Sequence, residues 1–162
     1  MRERTDIERA IEEHGDTVWR VCVLYFRQSP DAQDAFQETM IKYASFDGSF
    51  SDAEHRKAWL IRVATNVCKD MLKAAHRTKS VLDDGTIAAA AASHDESLQP
   101  GSASGEVLDA MLALADPPRT PVYLALYEGY SAPEISEMLD APVNTVYSWI
   151  SRGRKLLKEA LA

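Results

Sequence analysis

The feature that most limits what this chain can fold into lies near its end, where two helices are signalled with a joint that no helix can cross. Ser131-Ala132-Pro133-Glu134 has the form of a capping box. The serine hydroxyl can accept from the amide three residues on, and the glutamate can reach back to the serine amide. The helix that it starts is brief and carries Ile135, Met138 and Leu139. Asp140-Ala141-Pro142 then stops it, because Pro142 has no amide donor and disfavours helix at Ala141. A second helix is expected from about Val143 to Leu161. Its apolar stripe is Val146, Ile150, Gly153, Leu157 and Ala160, at spacings of four, three, four and three. Helices joined this way make a helix-turn-helix.

The opposite side of that second helix carries a different chemistry. Asn144, Thr145, Tyr147 and Ser148 place short or polar groups in its first turns, where they can reach base edges. Ser148, Arg152 and Lys155 share a face, flanked by Arg154 and Lys158, with no acid among residues 152–158. A polar start and a basic middle suit the major groove, with the cations meeting phosphates. Either feature alone reads more plainly as a solvated helix end whose cations complement the helix dipole. The capped short helix, the proline joint and an upstream apolar helix turn the balance towards duplex DNA.

The chain as a whole is not built to coat nucleic acid by bulk charge. It has 162 residues, a net charge of −7 and a pI near 5.1. Local basic patches must therefore do the work. Apolar residues make up 46% of the chain, enough for one domain or two small ones. Cys22 and Cys68 stand in apolar helical patterns with no CxxC motif or Cys/His cluster, and read as buried, reduced thiols. His55, His76 and the other histidines show no metal-ligand spacing. No signal peptide and no membrane-length apolar run stands out, so a soluble, cytoplasmic chain with no membrane insertion is expected. Without a Gly-rich phosphate loop, a metal cluster or a nucleophile motif, neither an enzyme nor a cofactor is expected.

The first half reads as three helices. Ile7, Ala10, Ile11, Val18, Val21, Cys22 and Tyr25 recur at helical spacing between Asp6 and Phe26, with Gly15 allowing one bent helix or two. Ser29-Pro30-Asp31 is a start signal of cap, fixed φ and acid. The helix after it places Ala32, Ala35, Phe36, Met40 and Tyr43 on one side. Phe46–Asp52 is a loop by its Gly, Ser and Asp content. A third helix from His55 to Arg77 shows a stripe of Leu60, Val63, Ala64, Val67, Met71 and Leu72. Residues 79–105 are rich in Ala, Ser, Gly and acid, without a sustained period, and read as a flexible linker. A short amphipathic helix follows from Glu106 to Ala115. Pro117-Pro118 ends it, a helix through Val122–Leu126 comes next, and Gly129 closes that one. No strand alternation appears. The expectation is an all-α protein with two small helical domains, residues 1–78 and 106–162, joined by the linker, the C-terminal one a helix-turn-helix.

These residues resemble a known family. EGYSAPEISEMLDAPVNTVYSWISRGRKLLKEAL resembles the C-terminal DNA-binding domain of bacterial sigma factors, especially the small extracytoplasmic-function (ECF) group. SPDAQDAFQETMIKYASF resembles their polymerase-binding helix, and HRKAWLIRVATNVCKDMLKAAHR the next helix, which engages the minus-ten element. The likeness covers nearly all of the chain outside residues 79–105. It implies a protein that binds core RNA polymerase and directs promoter-specific initiation. Residues 1–78 would be a region 2-like domain and residues 106–162 a region 4-like domain that reads the minus-thirty-five element as duplex. Polymerase contacts would fall on Asp34, Gln37 and Glu38 with neighbouring Phe36 and Met40; the plainer reading is a solvated face bordering core, with Phe36 and Met40 partly in that core.

Opening DNA needs a surface for an unstacked base and cations for the displaced backbone. The resemblance places these on Arg56, Lys57, Trp59, Arg62, Asn66 and Lys69, with Lys73 and Arg77 beyond. The base could instead meet Phe46 and Phe50 in the loop, and a core anchor is the plainer reading of Trp59. By analogy the linker threads through the polymerase, where its acids mimic nucleic acid. Group membership implies an anti-sigma factor as a further partner. One departure bears on specificity: the family often has a basic residue where Tyr147 and Trp149 stand. Contact would then shift towards Ser148, Arg152 and Lys155, or promoter preference would differ. The competing reading is a non-sigma helix-turn-helix regulator with an N-terminal protein- or ligand-binding domain. A third is an interaction protein that has lost DNA binding.

Overall fold

The computed structural model describes residues 1–82 and 103–161, which are all-α, with no strand among the described residues. They divide into two compact units. The first holds α1 (Arg4–Phe26), α2 (Pro30–Ser45) and α3 (Ala53–Leu82). Residues 79–82 are thus still helical, and α4 starts at Ala103. Helix therefore occupies both ends of the span expected as linker, whose remaining residues, 83–102, lie outside the described ones.

In the first unit each helix packs on the other two. Gly15 does not break α1, which runs as one helix; the glycine is buried among its neighbours, with room for a Cβ at ordinary contact distance, 3.4 Å from Ile11 and 4.0 Å from Phe36. The start of α2 follows its signal. The Ser29 hydroxyl accepts from the Ala32 amide at 3.3 Å and donates to the Phe26 carbonyl at 2.9 Å, so one side chain closes α1 and opens α2. The core is Val18, Val21, Cys22 and Leu24 from α1, Ala32, Ala35 and Tyr43 from α2, and Leu60, Ile61, Ala64 and Cys68 from α3. Each large aliphatic side chain here contributes roughly 1.5–3 kcal/mol through burial. The expected stripe of α3 is corrected at its end. Leu60, Ala64 and Val67 are buried, Val63 and Met71 half-buried, and Leu72 exposed, as is every side chain from there to Arg77. Ile61 and Cys68, outside the expected stripe, are buried as well. Both thiols are free and buried, and they meet across the α1–α3 interface. Their mutual hydrogen bond, then burial, pushes the Cys68 thiol up, so it stays protonated and inert.

The second unit holds α4 (Ala103–Ala113), α5 (Arg119–Val122), α6 (Ala132–Leu139) and α7 (Val143–Leu161). The α4 helix starts and ends a little earlier than expected. Asp116 caps α5, accepting from the Thr120 amide at 3.0 Å and the Thr120 hydroxyl at 3.1 Å. From α5 the chain continues into a wider π turn, Tyr123–Tyr127, and Gly129 leaves it at φ +82. The capping box is complete: the Glu134 amide donates to the Ser131 hydroxyl at 3.3 Å, and the Ser131 amide to Glu134 at 3.0 Å. The joint is made two residues before Pro142, by Asp140 in the left-handed region (φ 52, ψ 52). The Ala141 amide then bonds back to the Ser136 carbonyl at 3.1 Å.

Three elements pack on α7, namely α4, α5 and α6. Its buried side chains are Val146, Gly153 and Leu157, while Ile150 is half-buried and Ala160 exposed. The stripe was expected to reach Ala160, but α7 outruns the elements it lies on. Gly153 is where α5 comes closest. A Cβ at Gly153 would stand 1.9 Å from Val122 Cγ2 and 3.4 Å from Pro118 Cβ. Alanine is the better helix former by ~1 kcal/mol, yet here the clash decides. Gly153→Ala should destabilise the protein by about 1–3 kcal/mol, read as a lower midpoint in urea denaturation. An unchanged or raised midpoint would show that α5 and α7 can separate without cost.

Candidate nucleic-acid interface

With Val146, Gly153 and Leu157 turned inward, the geometry of a helix sets what α7 shows to solvent. Asn144, Tyr147, Ser148, Arg152, Arg154 and Lys155 are all exposed, with Thr145 half-buried at the edge. Tyr147 is 56% exposed, the largest aromatic surface on the helix, whereas Trp149 is half-buried. The Ser148 hydroxyl is tied to the Asn144 carbonyl at 3.2 Å. Arg152, Arg154, Lys155 and Lys158 have no acidic partner among the described residues. Among other exposed cations, Arg4 is paired with Glu8 at 2.9 Å and Lys42 with Glu38 at 3.9 Å. Four unpaired cations beside an uncharged, hydrogen-bonding first turn match the needs of groove binding: base edges for the one, phosphates for the other.

In the first unit the residues expected at the minus-ten surface separate into two groups. Arg62, Asn66 and Lys69 lie on the face of α3 opposite its core stripe, continued by Lys73 at spacings of four, three and four. Arg62, Lys69 and Lys73 have no acidic partner among the described residues. Arg56 and Lys57 do not join this strip. Both are half-buried at the start of α3, and Arg56 reaches Glu13 of α1 at 3.7 Å.

Trp59 belongs to an aromatic cluster that holds the Phe46–Asp52 loop. Its ring lies 4.8 Å from Phe46, 5.7 Å from Phe50 and 5.9 Å from Tyr43. It is an anchor for the loop, the plainer of its two readings, and each such ring pair adds about 0.5–1.5 kcal/mol. The loop closes on a residue that no sequence pattern singled out. Arg2 lies over the Tyr43 ring at 4.4 Å and the Phe50 ring at 5.0 Å. It also donates to the Tyr43 and Gly48 carbonyls and to Asp6. Burial opposes the charge on Asp6, but hydrogen bonds from Arg2 and Tyr43 and the charges of Arg2 and Arg56 outweigh it and lower its pKa. Burial pushes the Tyr43 hydroxyl up, which keeps it a donor to Asp6 at 3.2 Å.

The third surface is on α2. Asp34, Gln37 and Glu38 are exposed together, as expected. Phe36 is not with them. It is half-buried on the inner side, with its ring edge-on to Trp19 at 6.3 Å, and Met40 is buried. The apolar member of this face is Ile41, 58% exposed. Its position was legible: residues 34, 37, 38 and 41 are one helical face, and an isoleucine on it breaks the polar pattern.

Comparison with known proteins matches both units, in order. Residues 10–78 match the family model of sigma-70 region 2, and residues 104–157 that of sigma-70 region 4. The ECF RNA polymerase sigma-E factor of Haemophilus influenzae is 30% identical over 142 residues, covering 81% of this chain and 75% of that protein. The ECF RNA polymerase sigma factor SigE of Mycolicibacterium smegmatis is 30% identical over 158 residues, 96% of this chain. The match spans 61% of that longer relative. Among solved structures, the fold resembles that of the sigma factor RpoE from Bartonella quintana, solved in complex with the anti-sigma factor NepR. The TM-score is 0.79 at 20% identity, with 96% of each chain covered. A regulator with an unrelated first half does not fit the region 2 match.

The Asp6 pair has a pH signature. A carboxylate whose pKa is lowered by folding stabilises the fold above its ordinary value of 3.8. That stabilisation is lost as pH falls through the lower, folded value. Melting temperatures of the wild type should therefore fall on acidification below roughly pH 4, and Asp6→Asn should flatten this part of the profile. Parallel profiles for the two proteins would mean that Asp6 and Arg2 are not coupled in solution.

Proposed function

Because this chain belongs to the sigma-70 family, in its extracytoplasmic-function group, we propose that it binds core RNA polymerase and directs it to promoters. The observation that carries the reading is that each unit bears one strip of unpaired cations on the free face of its longest helix. A factor that holds a promoter at two separated elements needs two such grips. The second unit reads the upstream, minus-thirty-five element as duplex. Asn144, Thr145, Tyr147 and Ser148 of α7 meet base edges there, and Arg152, Arg154 and Lys155 meet phosphates or guanines. The first unit takes the melted minus-ten strand along Arg62, Asn66 and Lys69, beside the loop that Trp59 anchors. Arg56 serves by holding α3 to α1 through Glu13. The polymerase docks on α2 at Asp34, Gln37 and Glu38 around Ile41, with Phe36 supporting that face from beneath. Such a role asks for no catalytic chemistry from the chain itself.

The charge balance assigns the polymerase an energetic share as well. Non-specific DNA affinity grows with the number of phosphates neutralised, and this chain offers about three or four free cations per unit against a net charge of −7. The purified chain should bind promoter DNA weakly at physiological salt, with the polymerase supplying the rest. No helix among the described residues is long and apolar enough to cross a membrane, and the place of action is the cytoplasm, where polymerase and chromosome are. The Bartonella quintana relative was solved with an anti-sigma factor, and the same class of partner is proposed for this chain.

Run-off transcription with bacterial core polymerase, with and without the chain, tests the assignment. The expected result is promoter-specific initiation only when the chain is added. Absence of specific transcripts from every genomic fragment tried, or nanomolar promoter binding without polymerase, would defeat it. Within that assay Arg152→Ala should reduce transcription from promoters that depend on the upstream element by about tenfold, or ~1.4 kcal/mol. Equal transcription and DNA binding would remove Arg152 from the reading face.

A further inference from the structure

Building on that assignment, we infer that Arg2 is a positioning residue for promoter opening: it gives the Phe46–Asp52 loop the shape in which it receives the unpaired strand. The end of the loop is tied to α3, where the Ser51 amide donates to His55 Nδ1 at 3.1 Å and the His55 amide to Asp52 at 2.8 Å, but the stretch between Phe46 and Phe50 lies outside that hold. That stretch is made of Asp, Gly and Ser between two phenylalanines. Its two rings are drawn inward onto Trp59 and Tyr43. What remains is to fix the chain between those rings, and the Arg2 guanidinium does this from the other end of the sequence. One nitrogen donates to the Gly48 carbonyl in the middle of the loop, another to the Tyr43 carbonyl at the end of α2, and a third to Asp6 of α1. The Arg2 amide itself donates to the Ala44 carbonyl at 2.9 Å. A planar guanidinium spreads its donors over three nitrogens and so reaches three acceptors at separate places, whereas an ammonium has its three donors on a single nitrogen. Gly48 suits the same arrangement, since a Cβ there would fall 2.3 Å from the Phe46 ring.

Arg2 is not itself a phosphate contact. Its side chain is only 13% exposed and its charge is met by Asp6 at 2.8 Å. Asp47 and Glu3, both exposed, stand at the rim of an open cavity of about 350 Å³ that Met1, Arg2, Asp6 and Phe46 also line. Its three carboxylates outnumber the Arg2 guanidinium and the Met1 amine, which itself lies 3.6 Å from Asp47, a balance that does not favour a phosphate. The action of Arg2 therefore runs through the loop. The loop leads directly into α3, whose free face carries Arg62, Asn66, Lys69 and Lys73, so its conformation sets where a strand enters that strip.

The test uses the full chain with core polymerase and, as probe, a pool of fork-junction oligonucleotides, duplex upstream and single-stranded with randomised bases downstream. Wild type, Arg2→Ala and Arg2→Lys are compared for core affinity and for fork retention across a salt series. Arg2→Lys keeps a charge beside Asp6 and carries the test if Arg2→Ala does not fold. The expected result is core affinity within about threefold of wild type, fork retention down by about tenfold in either variant, and an unchanged salt slope. Fork retention equal to wild type in both variants overturns the inference. So does a salt slope reduced by about one, which marks a lost phosphate contact. A parallel loss of core affinity also overturns it, since that shows a general structural role. If the wild-type chain adds no fork retention or initiation to core polymerase, the sigma assignment itself falls, and the inference with it.

Discussion

Everything in this protein depends on a constraint of helix geometry: a helix has only one face to bury, so whatever packs on it decides what it offers to the outside. In the second unit the constraint is tightest at Gly153, where α5 approaches so closely that no side chain fits on α7. That contact and the burial of Val146 and Leu157 turn Arg152, Arg154 and Lys155 outward. In the first unit Leu60, Ala64 and Val67 do the same for α3, and Arg62, Asn66, Lys69 and Lys73 follow on the opposite side. The two cationic strips are thus consequences of core packing, not separate features laid over it.

Charge is used in two ways. Where a cation holds the fold it is paired and half-buried, as Arg2 is with Asp6 and Arg56 with Glu13. Where it is available for a partner it has no acidic partner among the described residues, as on α7, where the cations are exposed, and along α3, where Arg62 and Lys73 are exposed and Lys69 half-buried. The distinction matters in a chain of net charge −7. Surface pairing is worth little to stability, so leaving these residues unpaired costs little and keeps their electrostatics for nucleic acid. The loop between α2 and α3 shows the first use at its densest. There one guanidinium satisfies two carbonyls and a carboxylate while resting on two rings. Such a group is stable in a half-buried place because its donors are used.

Much of this was legible in the sequence, and the legible part is local. Ser29 and the Ser131–Glu134 box act within three residues of themselves, so their spacing alone declares them. The inward stripes of α3 and α7 follow from period alone up to the point where their packing partners end. Leu72 and Ala160 lie beyond that point, and periodicity has no means of marking it. Phe36 stands on the apolar side of α2 by period, but its neighbour there is not marked by any spacing. That neighbour is Trp19, a residue of another helix. Ile41 stood in plain view on the exposed face of α2, a lone apolar residue among Asp34, Gln37 and Glu38. The pairing of Arg2 with Asp6 lies four residues along the chain, but its grip on the loop could not have been found. The partners there are carbonyls more than forty positions away, and a carbonyl carries no sequence signal.

By itself, then, the sequence determined the helices, where most of them begin and stop, and the cationic side that α7 and α3 would each present. These are set by caps, prolines and periods, which act over one or two turns. Only the tertiary structure decided which residues share a surface. It separated Arg56 from Arg62, Asn66 and Lys69, set Phe36 against Trp19 and made Trp59 an anchor. It also brought Arg2 to the loop. The reason is that these placements depend on contacts between helices, and such contacts are set by the shapes of both partners at once.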